Sequence, residues 1–275
     1  MRRHRRLQTT TYVSVGNVTT PISRTLPSRL LGVWAHPDDE CYLSAGLMAR
    51  VIDAGGQVRL LCATRGERGT DDPALLATET FAAQRMAELE SSLAVLGVTE
   101  VEFLGLGDGT CAAADSSEMA DRIADEIAEF DPDTVITFGP DGITGHSDHV
   151  AVSEWTTIAC TPQPSIELLY ATMTHDHVAR HRELHDALGL FDDFGDGRPR
   201  AVGRGALALE CALDHTELVR KRRALRAHGS QTDRLAEFMG EDVYVSWWRD
   251  ESFRHPTAAE VLRSRSRSAL VGVGS

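Results

Sequence analysis

Short apolar segments alternate with amphipathic stretches from Arg29 to Thr172, and this alternation limits the possible folds more than any other feature of the chain. Leu30-Leu31-Gly32-Val33-Trp34-Ala35 has no polar face, so it reads as a strand buried on both sides. It stops at His36-Pro37, where proline removes a backbone donor and fixes φ. A helix is predicted from about Glu40, a strand over Gln57 to Ala63, a helix over Thr78 to Leu96 closed by Gly97, and a strand over Val101 to Leu104. The same rhythm predicts a helix over Glu118 to Phe130, a strand over Thr134 to Phe138, a helix over Ser147 to Ala159 and a strand over Ile166 to Thr172. Strands separated by helices pair in parallel, because each crossover returns the chain to the same end of the sheet. The pattern predicts an α/β fold: a Rossmann-like three-layer sandwich with a mostly parallel sheet and an elaborated C-terminal part.

The 275 residues suit one large domain or one and a half. Residues 1–28, with Pro21 and Pro27 and no sustained period, are expected to be a flexible arm. Residues 29–175 form the core, 176–258 a substrate-selecting C-terminal part, and 259–275, with the run RSRSRS, a flexible solvated tail. Within the C-terminal part, His177, His181 and His185 recur every four residues in a polar segment and read as a solvated helix face rather than a metal site. Phe191 to Gly205 is expected to be a glycine-rich loop able to act as a lid. A strand over Ala206 to Leu213 and a helix over Thr216 to Ala227 follow. Trp247, Trp248 and Phe253 suit either core filling or stacking on a sugar at a pocket rim.

A formal net charge of −13 argues against nucleic acid or anionic lipid as the main partner. Lys221 is the only lysine among 28 basic residues, a bias that reads as genomic base composition. Five cysteines without a C-x-x-C pair suit reduced thiols in a cytoplasmic protein and give no cysteine-built zinc site. The arginine-rich start is not followed by an apolar run, so neither a signal peptide nor a membrane span is expected. Gly105-Leu106-Gly107-Asp108-Gly109 departs from the dinucleotide fingerprint, and Ser147-Asp148-His149 cannot form a triad because consecutive helix side chains diverge.

Two clusters carry the chemistry. His36-Pro37-Asp38-Asp39-Glu40 follows the first strand, and Gly145-His146-Ser147-Asp148-His149 follows the strand over Thr134 to Phe138. Both therefore lie at the carboxyl edge of a parallel sheet, where open α/β folds bind ligands. The acids of the first cluster alone could be helix N-terminal residues favoured by the macrodipole. Together the clusters offer two or three imidazoles and a carboxylate, the ligand types of a catalytic zinc ion. Of the adjacent Asp38 and Asp39, one can bind the ion while the other stays free as a base.

The motifs AHPDDE at 35–40 and GHSDH at 145–149 resemble the paired signatures of the LmbE-like, or PIG-L, family of zinc-dependent N-acetylglucosaminyl deacetylases. Thr64-Arg65-Gly66-Glu67, Arg85 with Glu88-Leu89, Asp108-Gly109, and Lys221, Ala224, His228, Ser230 and Gln231 extend the resemblance over roughly residues 30–235. The resemblance implies that His36, Asp39 and His149 bind Zn2+, or another divalent ion, and that Asp38 is the general base. It implies that His146 protonates the leaving amine or stabilises the oxyanion, with Asp148 orienting His146, and that Arg85, Glu67 and Arg68 face the substrate. Some members place a tyrosine before the Gly-His pair, where this chain has Thr144.

The implied activity is hydrolysis of an N-acetyl group from an N-acetylglucosamine-like glycoside or glycoconjugate, a small-molecule partner. The alternatives are an amidase cleaving a larger acyl or thiol conjugate from a glucosaminyl inositol, and a non-catalytic sugar-binding relative. Self-association into a homo-oligomer is left open.

Overall fold

A computed structural model describes residues 26–196, 198 and 200–271, without the side chains of 265 and 267–271. Most of the expected N-terminal arm lies outside the described residues. The elements of the core are β1 (Arg29–Trp34), α1 (Asp39–Asp53), β2 (Gln57–Thr64), α2 (Glu79–Leu96), β3 (Glu100–Leu106), α3 (Ser116–Phe130), β4 (Thr134–Phe138), α4 (Ser147–Cys160) and β5 (Glu167–Thr174). These five strands pair in parallel in the order β3-β2-β1-β4-β5. Leu30, Leu31, Val33 and Trp34 of β1 are buried on both faces of the sheet, as their unbroken apolar run requires. The helices start and stop where their capping residues sit: Thr78 accepts from the Phe81 N–H, Asp115 accepts from Ser117 and Glu118, and Gly97 closes α2 with φ of 83°.

The remainder is α5 (His175–Arg180), α6 (Arg182–Leu188), β6 (Ala201–Val202), β7 (Leu209–Ala212), α7 (His215–Ala227), α8 (Gly229–Met239), α9 (Glu241–Trp247), β8 (Asp250–Arg254) and α10 (Ala258–Val271). β8 adds antiparallel to β5 and β7 adds antiparallel to β8, so the C-terminal part continues the core's sheet. The sequence does not announce β8, whose residues are DESFR, because its central acid looks like a surface group. Glu251 is buried: its carboxylate accepts the backbone N–H groups of Gly46 and Leu47 in α1 and pairs with Lys221 Nζ at 2.7 Å. Lys221 also donates to the Tyr42 carbonyl at 2.7 Å. The sole lysine of the chain thus has a structural task, in which a compact ammonium serves two acceptors at once.

Two expectations need correction. The run RSRSRS belongs to α10, which packs beside α3 and α4 rather than forming a tail. His181 and His185 point inward instead of forming a solvated face, and the His185 Nε2 accepts the Trp247 indole N–H at 2.9 Å. The rings of His177, His181 and His185 lie 4.8–6.1 Å apart. Burial, then the neighbouring imidazoles, pushes His177 down to about 3 and His185 down to about 4. Both are therefore neutral at pH 7 and pack as aromatic rings, which a reading that scores histidine as polar overlooks.

Candidate metal centre

Strand order reverses between β1 and β4, so the chain leaves these neighbouring strands toward opposite sides and opens a crevice at their carboxyl ends. Both clusters end up in that crevice. His36 Nδ1 lies 3.2 Å from His149 Nε2 and 3.5 Å from Asp39 Oδ2, and His149 Nε2 lies 3.4 Å from Asp39 Oδ1. Ligand atoms about 2.0–2.1 Å from a tetrahedral ion are themselves ~3.3 Å apart, which the two imidazole nitrogens match, and each of them has a different oxygen of Asp39 within 3.5 Å.

The far side of each ring fits as well. His36 Nε2 faces Asp108 Oδ1 at 3.2 Å and Asp148 Oδ2 at 3.3 Å, and His149 Nδ1 lies 3.0 Å from the Gly142 carbonyl. Acceptors at the outer nitrogen fix the tautomer that leaves the inner nitrogen free for a cation. The ligand atoms of His36, His146 and His149 also fall within 4.8 Å of one another, which puts the His146 ring beside the same point.

Burial would raise the Asp39 carboxyl, but the hydrogen bonds and charge of His36 help hold it below the usual carboxylate range. Burial pushes His149 down to about 4, against the pull of Asp39, which leaves its imidazole neutral and able to coordinate a cation. Burial alone would lower His36, yet Asp108, Asp148 and Asp39 together raise it well above its ordinary value. These acids thus favour the protonated imidazole at His36 in the metal-free protein. Binding of a divalent cation there is expected to displace a proton, and affinity is expected to rise with pH. Calorimetry in two buffers of different ionisation enthalpy reads that release; identical heats would refute it.

Asp38 stands next to the three. Its φ of 117° is unusual for a residue with a side chain and turns its carboxylate out of the helix that Asp39 begins. Burial is the main cause that pushes Asp38 up to about 6, opposed by Arg85 and assisted by Asp39. Arg85 is itself buried, 3.2 Å from Asp38 Oδ2, and donates to the Pro37 and Gly66 carbonyls. It borders the cavity; both its terminal nitrogens are engaged by the loops around Asp38, while its Nε has no partner.

Glu67 also turns toward protein, accepting the Asp108 N–H at 2.9 Å, while the Arg68 backbone N–H donates to Asp108 Oδ2 and its side chain borders the cavity. Asp108 lies in the site without a role predicted from sequence, although Asp108-Gly109 follows β3 at the same sheet edge. Asp148 differs from expectation. Its carboxylate takes the N–H groups of Gly109 and Cys111 and faces His36, while its backbone N–H, at 3.2 Å, is what holds His146 Nδ1. Gly145, with φ of 91°, lets the cluster turn where a Cβ would sit 3.1 Å from the Asp193 backbone, so the expected loop after Phe191 rests on the turn that carries the second cluster.

The cavity above these residues has about 440 Å³ and pairs a His and Asp floor with walls from Tyr42, Leu43, Leu235, Trp247 and Trp248. Trp247 is core, whereas Trp248 is half-buried and lies against Tyr42 with ring centres 4.5 Å apart. A cavity of about 620 Å³ across the Gly139 to Gly145 loop borders Arg254 and Glu260, which already pair at 2.8 Å, and includes none of the predicted site residues.

A family model described as PIG-L, GlcNAc-PI de-N-acetylase, matches residues 31–160. A 1D-myo-inositol 2-acetamido-2-deoxy-alpha-D-glucopyranoside deacetylase from Actinosynnema mirum is 35% identical over 233 residues, covering 75% of this chain and 82% of that protein. The chain belongs to the PIG-L family. A second PIG-L relative, the protein of the same name from Kineococcus radiotolerans, is 39% identical over 158 residues, 47% of this chain and 44% of its own length. The match thus spans less than half of that relative. N,N'-diacetylchitobiose deacetylase from Pyrococcus horikoshii shares the fold, with a TM-score of 0.54, 23% identity and coverage of 83% of each chain. The PIG-L match contains both clusters, and Arg85 and Asp108 between them. Among the described residues no helix is long and apolar enough to cross a membrane.

Proposed function

We propose that this chain is a metal-dependent hydrolase that removes the acetyl group from an N-acetylglucosaminyl glycoside, with zinc as its ion. The observation that carries this reading is the convergence of His36 Nδ1, His149 Nε2 and the Asp39 carboxylate within 3.5 Å contacts, beside a second carboxylate, Asp38, that Arg85 holds. Two imidazoles and one carboxylate with an open position form a donor set suited to catalytic zinc. Bound there, the ion would supply Lewis acidity, acidifying a water molecule and polarising the amide carbonyl.

The remaining work falls to side chains. Asp38 takes the proton of the attacking water, with Arg85 holding the carboxylate in place. His146 borders the cavity beside His36 and His149, where it would hydrogen-bond the tetrahedral oxyanion or protonate the departing amine. Asp148 fixes His36 with its carboxylate and His146 with its backbone N–H. Asp108 and Arg68 also border the cavity, within reach of sugar hydroxyls, and Trp248 at its wall suits the apolar side of a pyranose. Thr144 borders the same space in place of a tyrosine.

The names of the relatives support removal of an acetyl group from the 2-amino group of a glucosaminide whose aglycone is inositol, which combines the principal expectation with the aglycone of its alternative. A non-catalytic sugar binder would not need an unligated acid beside the ligands. The five free, buried thiols suit a reducing cytoplasm. The test is a panel: 1D-myo-inositol 2-acetamido-2-deoxy-α-D-glucopyranoside, its larger N-acyl analogues and simple N-acetylglucosaminides, each followed by amine release. Preference for the acetylated inositol glycoside supports the reading. Cleavage of the larger acyl conjugates alone would replace it with the amidase, and cleavage of none would favour a binding role.

A further inference from the structure

We propose that Glu40 and His228 form a clamp that positions the Asp38 carboxylate, an inference that rests on the reading of Asp38 as general base. Asp38 N–H donates to Glu40 Oε2 at 2.9 Å, and His228 Nε2 lies 2.9 Å from Glu40 Oε1. Glu40 therefore uses one oxygen on the residue of unusual φ and the other on His228. Both side chains are essentially inaccessible, and neither borders the cavity, so any effect on substrate must pass through Asp38. His228 Nδ1 has no partner, which leaves the bond to Glu40 as the imidazole's single hydrogen bond. A positive φ persists at a non-glycine residue only where the surroundings over-determine it. Here the N–H of Asp38 is held by Glu40, and the carbonyl of Pro37 by Arg85.

The clamp also accounts for a stretch that the chemistry above leaves unused, from Lys221 to Gln231. Lys221 ties α7 to the Tyr42 carbonyl of α1, Ser230 donates to Glu88 of α2 at 2.6 Å, and Gln231 donates to the Gly69 carbonyl at 2.9 Å. Each bond joins the α7–α8 junction to an element that carries part of the site, and His228 is the member that reaches the base. A second cation between Glu40, Cys41 and His228 is the competing use of these groups. Burial pushes the Cys41 thiol well up, which withholds the thiolate a metal would need, while the carboxylate and imidazole are already joined.

The test uses the full chain with 1D-myo-inositol 2-acetamido-2-deoxy-α-D-glucopyranoside and reads kcat, KM and bound zinc. Glu40→Met and His228→Leu should lower kcat about tenfold or more, with KM and zinc stoichiometry little changed. His228→Gln, which can place an amide donor where Nε2 was, and Glu40→Gln, which keeps one acceptor, should recover much of that loss. In an Asp38→Asn background the same changes should cost less than about twofold, because the group they position has gone. Full kcat in Glu40→Met or His228→Leu, or an equal further loss in the Asp38→Asn background, would overturn the clamp. If the Met and Leu variants do not fold, Glu40→Asp, whose shorter side chain cannot span both the Asp38 N–H and His228, takes their place in the two backgrounds with the same expected results. An Asp38→Asn enzyme with full activity would instead overturn the base assignment.

Discussion

Asp38→Asn is expected to keep its zinc and its fold and to lose about 10²–10⁴ in kcat, the range that a positioned general base contributes. Asparagine preserves the side chain's shape and an acceptor for Arg85, whose guanidinium lies 3.2 Å away and is buried. Alanine would remove that partner too and mix a packing defect with the chemical one. The pH profile gives a second readout. Burial pushes the metal-free Asp38 carboxyl up to about 6. A base must be deprotonated to act, so kcat/KM should fall as pH drops through the carboxyl's value. A bound cation favours the carboxylate, so this limb should lie at or below that value in the loaded enzyme. Asp38→Asn should lose the limb along with the rate; a variant with parental kcat and an unchanged profile would remove Asp38 from the proton transfer.

Lys221→Met should destabilise the fold by about 3–5 kcal/mol, the cost of leaving one partner of a buried ion pair without the other. Lys221 and Glu251 are each 2% exposed, and their contact of 2.7 Å joins α7 to β8. Glu251 also holds two N–H groups of α1 beneath the site, so an unpaired carboxylate there should loosen the helix that begins at Asp39. For a chain of this size the loss corresponds to a Tm lower by roughly 6–20 °C. Thermal or urea unfolding of the metal-loaded protein measures it. A change below about 1 kcal/mol would place Lys221 among solvated surface charges, where such pairs contribute little.

The parts legible in the sequence are those set by local patterning. β1 shows as an apolar run ended by Pro37, α2 shows its Gly97 stop, and the two clusters announce their position by following β1 and β4. What escaped depends on distant partners. β8 is hidden because Glu251 looks exposed until Lys221 and the N–H groups of α1 surround it. Asp108 gains meaning only when β3 brings it within 3.2 Å of His36. The contact between Glu40 and His228 joins positions 188 residues apart and has no local signature. The histidines of α5 and α6 escape a reading that scores histidine as polar, because a neutral imidazole is an apolar ring in the right surroundings. Sequence proximity suggests His146 as the partner of Asp148, whereas the fold turns the Asp148 carboxylate to His36.

The most direct test of the account is acetate release from 1D-myo-inositol 2-acetamido-2-deoxy-α-D-glucopyranoside by protein stripped of metal with a chelator and checked by elemental analysis. Release should stop in the stripped protein and return on addition of one equivalent of Zn2+, and His149→Ala, which removes a ligand, should not be restored by the same addition. Undiminished release from protein shown to contain no metal would contradict the account.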